Sequence, residues 1–313
     1  MAKKLTVIDL FCGVGGMSLG FKKAGFDVIW GVDVNKSACD AFQRNLKCDV
    51  TCSDIRLIKK FPKSDVVIGC YPCEGFSLAG KRDINDPRNY LYKEFARCVS
   101  QVRPKAFLVE NVKGMLTLGS GKIWKSMIIR YKKLGYDVFP TTVNAKYFGV
   151  PQDRERILIA GFRKDLRIDF KFPEYTHGSE DKPFVTLRQS IGKVVKPSKG
   201  DFYDGPFSFI YSSRNRKRKW NEVSFTIQAA CQHAPLHPSS PDPIKIGKDK
   251  WKIKKGSRRM SLTECATIQT FSKRRINNIR KSANSLYSRF ELVGDAVPPL
   301  MAEKIATSML NSL

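Results

Sequence analysis

Residues 5–16 read LTVIDLFCGVGG. An apolar run carries one carboxylate, Asp9, and opens into a turn with glycines at 13, 15 and 16. Residues 16–24 then follow a helical pattern. Strand, glycine turn and helix in this order form the opening unit of an α/β fold. The same rhythm continues outward from it. Strands are expected at 28–32, 65–69, 105–109 and 156–160, with helices at 36–46, 90–102 and 122–134. Alternation of this kind predicts a mostly parallel sheet covered on both faces. In such sheets ligands bind beyond the carboxyl ends of the strands.

The chain has 313 residues, of which 42% are hydrophobic, enough to bury a real core. Lys and Arg number 56 against 29 Asp and Glu, a formal charge of +27. Such an excess points to a polyanionic partner, nucleic acid first. There is no run of 18 apolar residues, no secretory leader and no lipidation motif, so no membrane role is expected. Nine irregularly spaced cysteines fit reduced thiols in a cytoplasm.

The texture changes near residue 162. Helical periodicity fades, and residues 214–219 (RNRKRK) hold five basic residues in six. Trp220, Phe225 and Trp251 are interleaved with the charge. Periodicity returns at 262–270 and 302–310. Three parts are expected: a catalytic domain over 1–162, a strand-and-loop domain over 163–257, and a segment over 258–313 that packs back on the first.

Five blocks carry chemistry. In the glycine turn, the dinucleotide fingerprint needs a third glycine at position 18, where Ser18 stands. A nucleoside without a pyrophosphate fits better. Asp33, ending the next strand, could hold ribose hydroxyls, and Asp54 an adenine amine. In the second block, Cys70-Tyr71-Pro72-Cys73-Glu74, Cys73 sits on a loop at a strand's carboxyl end, placed for nucleophilic attack. A buried structural thiol is the plainer reading of the same cysteine. The pairs Cys48/Cys52 and Cys70/Cys73 have zinc-like spacing but belong to different strands. A Cys231, His233, His237 cluster is interrupted by prolines, so no metal is expected. The third block, Glu110-Asn111-Val112, is expected just after a strand, facing the same cleft. In the fourth, Gln152-Asp153-Arg154-Glu155-Arg156, alternation puts Gln152, Arg154 and Arg156 on one face. The fifth, Gly294-Asp295-Ala296-Val297-Pro298-Pro299, is a turn into the last helix.

In this order the five blocks resemble the cytosine-C5 DNA methyltransferase family, from residue 5 to about residue 309. The resemblance implies an S-adenosylmethionine-dependent, Rossmann-like fold with a smaller target-recognition domain. It implies that Cys73 attacks C6 of a flipped-out cytosine, that Glu110 holds the ring, and that Arg154 and Arg156 contact the target nucleotide. Phe11, Gly13, Gly15, Asp33, Val34, Asp54, Ile55, Pro72, Glu74, Asp295 and Ala296 fall where the family binds its cofactor. The second domain is similar to a bacterial branch modifying GGCC. That similarity places Arg214, Arg216 and Gln228 near bases and Lys252 near phosphates. The implied partner is double-stranded DNA, with a separate cognate restriction endonuclease, for a monomer in the bacterial cytoplasm at the nucleoid.

Three positions depart from the family pattern, the first being Tyr71 in a loop that in the family usually reads Pro-Pro-Cys-Gln. Glu74 stands where the family usually has glutamine, and Asp295 where it has asparagine. Two carboxylates near the transferred group would favour an extra cation, as in decarboxylated S-adenosylmethionine, and aminopropyl transfer. The sequence also admits an inactive DNA-binding protein or an RNA cytosine methyltransferase.

Overall fold

The computed structural model describes residues 3–72, 86–117, 121–194, 197–198 and 200–313. Seven strands form one sheet: β1 (Thr6–Leu10), β2 (Asp27–Asp33), β3 (Asp49–Cys52), β4 (Val66–Gly69), β5 (Ala106–Val112), β6 (Tyr136–Asn144) and β7 (Glu155–Arg163). A hairpin of β8 (Ile244–Gly247) and β9 (Lys250–Lys252) stands apart. The helices are α1 (Gly16–Ala24), α2 (Lys36–Leu46), α3 (Tyr92–Val102), α4 (Lys122–Lys133), α5 (Leu187–Ile191), α6 (Phe209–Ser212), α7 (Leu262–Ile268), α8 (Lys273–Ser282), α9 (Leu286–Asp295) and α10 (Pro299–Ser312).

The sheet order is β3-β2-β1-β4-β5-β7-β6. The first five strands are parallel, and β7 runs antiparallel to both β5 and β6. The chain therefore steps outward from β1 through β2 to β3, then returns to place β4 on the other side of β1. That reversal opens a crevice at the carboxyl ends of β1 and β4. The strand expected at residues 156–160 is present but antiparallel, and its partner β6 was not foreseen. β6 has few buried residues to mark it (burial is confined to Tyr136, Val143 and Asn144), so its pattern is weak in sequence.

Two compact units emerge: residues 1–144, 155–174 and 301–313, and residues 145–154 and 175–300. This division differs from the expected boundaries at 162 and 257. Residues 258–300 belong to the second unit because α7–α9 bury Leu262, Ile276, Ile279 and Phe290 there. Residues 301–313 belong to the first. Gly20 of α1 admits the α10 backbone so closely that a Cβ would lie 2.5 Å from the Ala302 Cβ.

In the first unit, α3 and α4 cover one face of the sheet with Phe95, Tyr131 and Met127, against Phe107 and Ile159. Phe107 lies across from Gly161 in the β5–β7 register. A Cβ at Gly161 would approach the Phe107 ring to 2.1 Å. Gly161→Ala is therefore expected to destabilise the protein by about 1–3 kcal/mol through overpacking, read as a lower Tm. An unchanged Tm would mean that Phe107 has room to move.

Candidate active site

The crevice is built by three strand ends in register. Leu10 lies beside Val32 on one side and Gly69 on the other. The chain leaves β1 through Phe11, whose φ of 58° is left-handed. Cys12 N–H then donates to Val32 O at 3.0 Å. Gly13 (φ 53°) donates its N–H to Asp33 Oδ2 at 2.8 Å, and nothing lies within 4 Å of where its Cβ would be. Gly15 (φ 81°) is needed for a second reason, because a Cβ there would sit 2.5 Å from Leu46 Cδ2. The glycine turn is thus closed beneath by α2 and open above Gly13.

Asp33 accepts N–H groups from Gly13 and Asn35, one on each oxygen. Each oxygen keeps a second lone pair for a hydroxyl donor. Burial raises its pKa above the ordinary carboxylate value. Val34, next along, is 73% exposed, an apolar side chain uncovered at a strand end. Ser53 N–H bonds Asp33 O, which brings the turn at 54–57 to the same edge. Ile55 is buried there, and Arg97 of α3 pins the turn by donating to Ile55 O and Ile58 O at 2.9 and 2.7 Å. Asp54 caps this turn and takes both Nε and Nη2 of Arg56. Its carboxylate is thereby held below the ordinary range. An adenine amine at Asp54 would share it with a guanidinium, which nothing in the sequence announces.

Beneath the glycine turn lies Asp9, only 1% exposed, which accepts the Ser18 hydroxyl at 2.6 Å. Burial pushes its pKa up to about 7, against the bond from Ser18, and Asp33 adds to the rise. Ser18, which in sequence marks only a missing glycine, is its partner.

On the other side of β1, the loop after β4 begins at Cys70, whose N–H bonds Leu10 O at 3.3 Å. Tyr71 is buried, meets the Phe11 ring edge-on at 6.2 Å, and donates its hydroxyl to Met127 Sδ at 2.9 Å. Asn111 donates Nδ2–H to Tyr71 O at 3.0 Å. This bond ties the loop that leads to Cys73 to the end of β5. Pro72 is the last residue described there; Cys73 and Glu74 lie outside the described residues.

Glu110 lies within β5 rather than after it, because pairing with β7 extends the strand to Val112. It is 5% exposed, with Arg156 Nε 2.9 Å from Oε1. The two are in ionic contact, yet no described donor is aligned for a hydrogen bond with Oε1. A buried carboxylate oxygen without an aligned donor is costly unless a further group completes it. Arg156 is half-buried, while Glu155 between the two arginines is exposed and pairs with Lys113.

The other expected site residues lie in the second unit. Arg154 is 2% exposed and donates Nη1 to Gly294 O at 3.1 Å and Ile227 O at 3.4 Å. It is expected at the target nucleotide; in the structure these bonds join two backbone segments. Gln152, fully buried, accepts Ile227 N–H at 2.9 Å and donates to Gln269 Oε1 at 2.7 Å. Gln269 in turn donates to Val293 O and Ala296 O. Asp295 is exposed at the end of α9. Gly294 beside it packs so tightly on Gln228 and Ala229 that a Cβ would come within 2.3 Å of their backbone.

Arg216 was expected near bases. It is instead 6% exposed, stacks on Tyr211 at 4.7 Å, and donates to Tyr211 O and Ile210 O. Burial and the neighbouring Arg214 lower its pKa to about 10. Arg214 itself is exposed, Gln228 is half-buried, and Lys252 is exposed on β9. Sequence reasoning missed Arg259, which is 2% exposed against the rings of Tyr203, Phe207 and Tyr211.

Comparison with known proteins decides the family. Residues 5–311 match C-5 cytosine-specific DNA methylase. The chain belongs to this family. It is 40% identical to the type II methyltransferase M.BsuRI of Bacillus subtilis, over 98% of this chain and 80% of the relative. It is 38% identical to M.BspRI of Lysinibacillus sphaericus, over 98% and 81%. Among solved structures, Spodoptera frugiperda DNMT2 superposes with a TM-score of 0.70 at 18% identity, covering 98% of this chain and 99% of the other. This methylase is a DNA cytosine-C5 transferase, and its family uses S-adenosylmethionine.

Asp9 offers a test of the methylase's glycine turn. Its raised pKa means that the protonated form favours the fold. That contribution is full below the ordinary value of 3.8 and is lost as pH rises through about 7. Asp9→Asn should therefore flatten the fall in stability between about pH 4 and 7, measured by denaturant unfolding. Parallel profiles for the two proteins would assign the pH dependence elsewhere.

Proposed function

We propose that the methylase alkylates a cytosine that has left the duplex, through a covalent adduct on Cys73. The observation that carries this is Glu110: a nearly buried carboxylate beside Arg156, with one oxygen awaiting an aligned donor. Protonated cytosine N3 and the exocyclic amine are donors of the right kind. A cytosine inside a duplex is out of reach, so unstacking it costs a few kcal/mol.

In this reading Cys73 Sγ bonds to C6, and the ring electrons move to C5. The pair displaced through the ring is taken up at N3 with a proton shared from Glu110, which then accepts N3–H, while Arg156 fixes the carboxylate. The enamine carbon C5 takes a methyl group as its bond to a sulfonium breaks and a neutral thioether departs; water removes the C5 proton, and the freed electron pair re-forms C5=C6 and expels the Cys73 thiolate. Splitting one hard step into these easier ones is the gain from covalent catalysis.

When bound, S-adenosylmethionine supplies an electrophilic methyl on a sulfonium. The residues at the crevice fit such a nucleoside ligand. Asp33 offers lone pairs to hydroxyls; Phe11 and Val34 offer apolar surface, with Ile55 buried at the same edge; the space above Gly13 lets a ligand approach backbone. Pro72, Asp54, Gly15, Glu74, Asp295 and Ala296 complete the proposed set. Nothing among the described residues supports the decarboxylated donor, since Glu74 lies outside them.

Arg214 and Gln228 are proposed to read bases, and Lys252 to hold phosphate, at a GGCC-like site. The relatives' type II names support pairing with a separate restriction endonuclease in a bacterial cytoplasm, and a monomer suffices for the chemistry. Trapping on a duplex with C5-fluorinated cytosine tests the reading. The full chain with S-adenosylmethionine should form a denaturant-resistant complex on GGCC, absent for Cys73→Ala. Glu110→Gln should slow it by about 10²-fold or more. A complex that persists in Cys73→Ala would overturn the assignment. Trapping on every cytosine context alike would overturn the site.

A further inference from the structure

Helix α8 is a basic element that none of the five motif blocks contains. Its sequence, KRRINNIRKS, carries Lys273, Arg274, Arg275, Arg280 and Lys281 and no acid. Ile276 and Ile279 are buried and set its inner face. Helical geometry turns Arg274, Asn277 and Lys281 to the opposite side, with Lys273 flanking them, and all four are exposed.

The arrangement costs local stability. Three cations occupy the first turn, where the helix dipole is itself positive. Ser272, the N-cap, makes no side-chain capping bond. Arg275 Nη1 is buried without a hydrogen-bond partner among the described residues. One cation of the helix is compensated: Arg280 pairs with Asp201 at 2.6 Å and bonds Thr263. That pair anchors α8 and leaves the outer cations to solvent. A local arrangement that breaks the folding rules is expected where function demands it.

We propose that the outer face of α8 is an accessory contact to the DNA backbone, separate from the proposed base-reading residues. Its partner is the phosphate chain of a duplex. From Lys273 to Lys281 the helix rises about 12 Å, and a DNA strand carries a charge about every 3.4 Å of axis. The face therefore meets more than one phosphate. Lysine and arginine on an open helix face grip charge and carry no sequence information. The inference rests on the DNA substrate of the family.

The test compares the full chain with Lys273→Ala/Arg274→Ala/Lys281→Ala. Dissociation constants are measured against NaCl concentration on a duplex bearing the cognate site and on a scrambled duplex. The slope of log affinity against log salt should fall in magnitude by about 2–3. Affinity should drop by the same factor on both duplexes, so that their ratio is kept. The Tm should hold or rise, because repulsion at the helix start is relieved. The charge-preserving Lys273→Arg/Lys281→Arg should keep the wild-type slope. An unchanged slope in the triple variant, with DNA still bound, would make α8 a solvated face and overturn the proposal. Wild-type protein that bound neither duplex would instead overturn the DNA reading itself.

Discussion

The reversal of the chain between β1 and β4 is the constraint on which the first unit depends. Because β1 is flanked by β2 and β4, the turns that leave β1 and β4 emerge side by side at one end of the sheet. Backbone bonds from Cys12 to Val32 and from Cys70 to Leu10 hold these exits in register. A glycine turn at 13–16 and a loop leading to Cys73 thus share one crevice without any side chain having to bring them together. Asn111 fixes the loop to the next strand, and Glu110 precedes it on that strand. Backbone pairing and one side-chain bond, from Asn111, therefore position both the glycine turn and a buried carboxylate.

Much of this was legible in the sequence. Residues 16–24 and 36–46 form the helices that their spacing predicts, and β1, β2, β4 and β5 fall where the apolar runs stand. Glycines at 13 and 15 mark left-handed backbone that other residues adopt at a cost. What was not legible came from pairing. β5 runs on through Glu110 and Asn111 because β7 lies antiparallel to it, and no local pattern announces that. β6 mixes exposed and half-buried residues, so its alternation is faint.

The second unit was harder to read for a different reason. Its interior uses polar groups that look like surface in a sequence. Gln152 and Gln269, both fully buried, join the segments at 227, 293 and 296. Arg259 fills an aromatic box and donates to carbonyls at 205, 206 and 232. Arg216 does the same on a smaller scale. Some of the charge that points to nucleic acid is therefore structural, and the base reading proposed above is left to exposed groups such as Arg214. The capping boxes Thr186–Gln189 and Ser261–Glu264 are readable signals, since Ser or Thr three residues before Gln or Glu marks a helix start. Glu264 also accepts both Arg258 nitrogens, a link that spacing alone does not reveal.

Mass spectrometry of nucleosides from the DNA of cells expressing the full chain, beside a Cys73→Ala control, reads methyl transfer through Cys73 without an intermediate assay. Cytosine heavier by one methyl group, absent in the control, is the expected result. A heavier adduct would contradict the methyl donor, and methylcytosine that persists at the same level in the control would contradict Cys73 as its source.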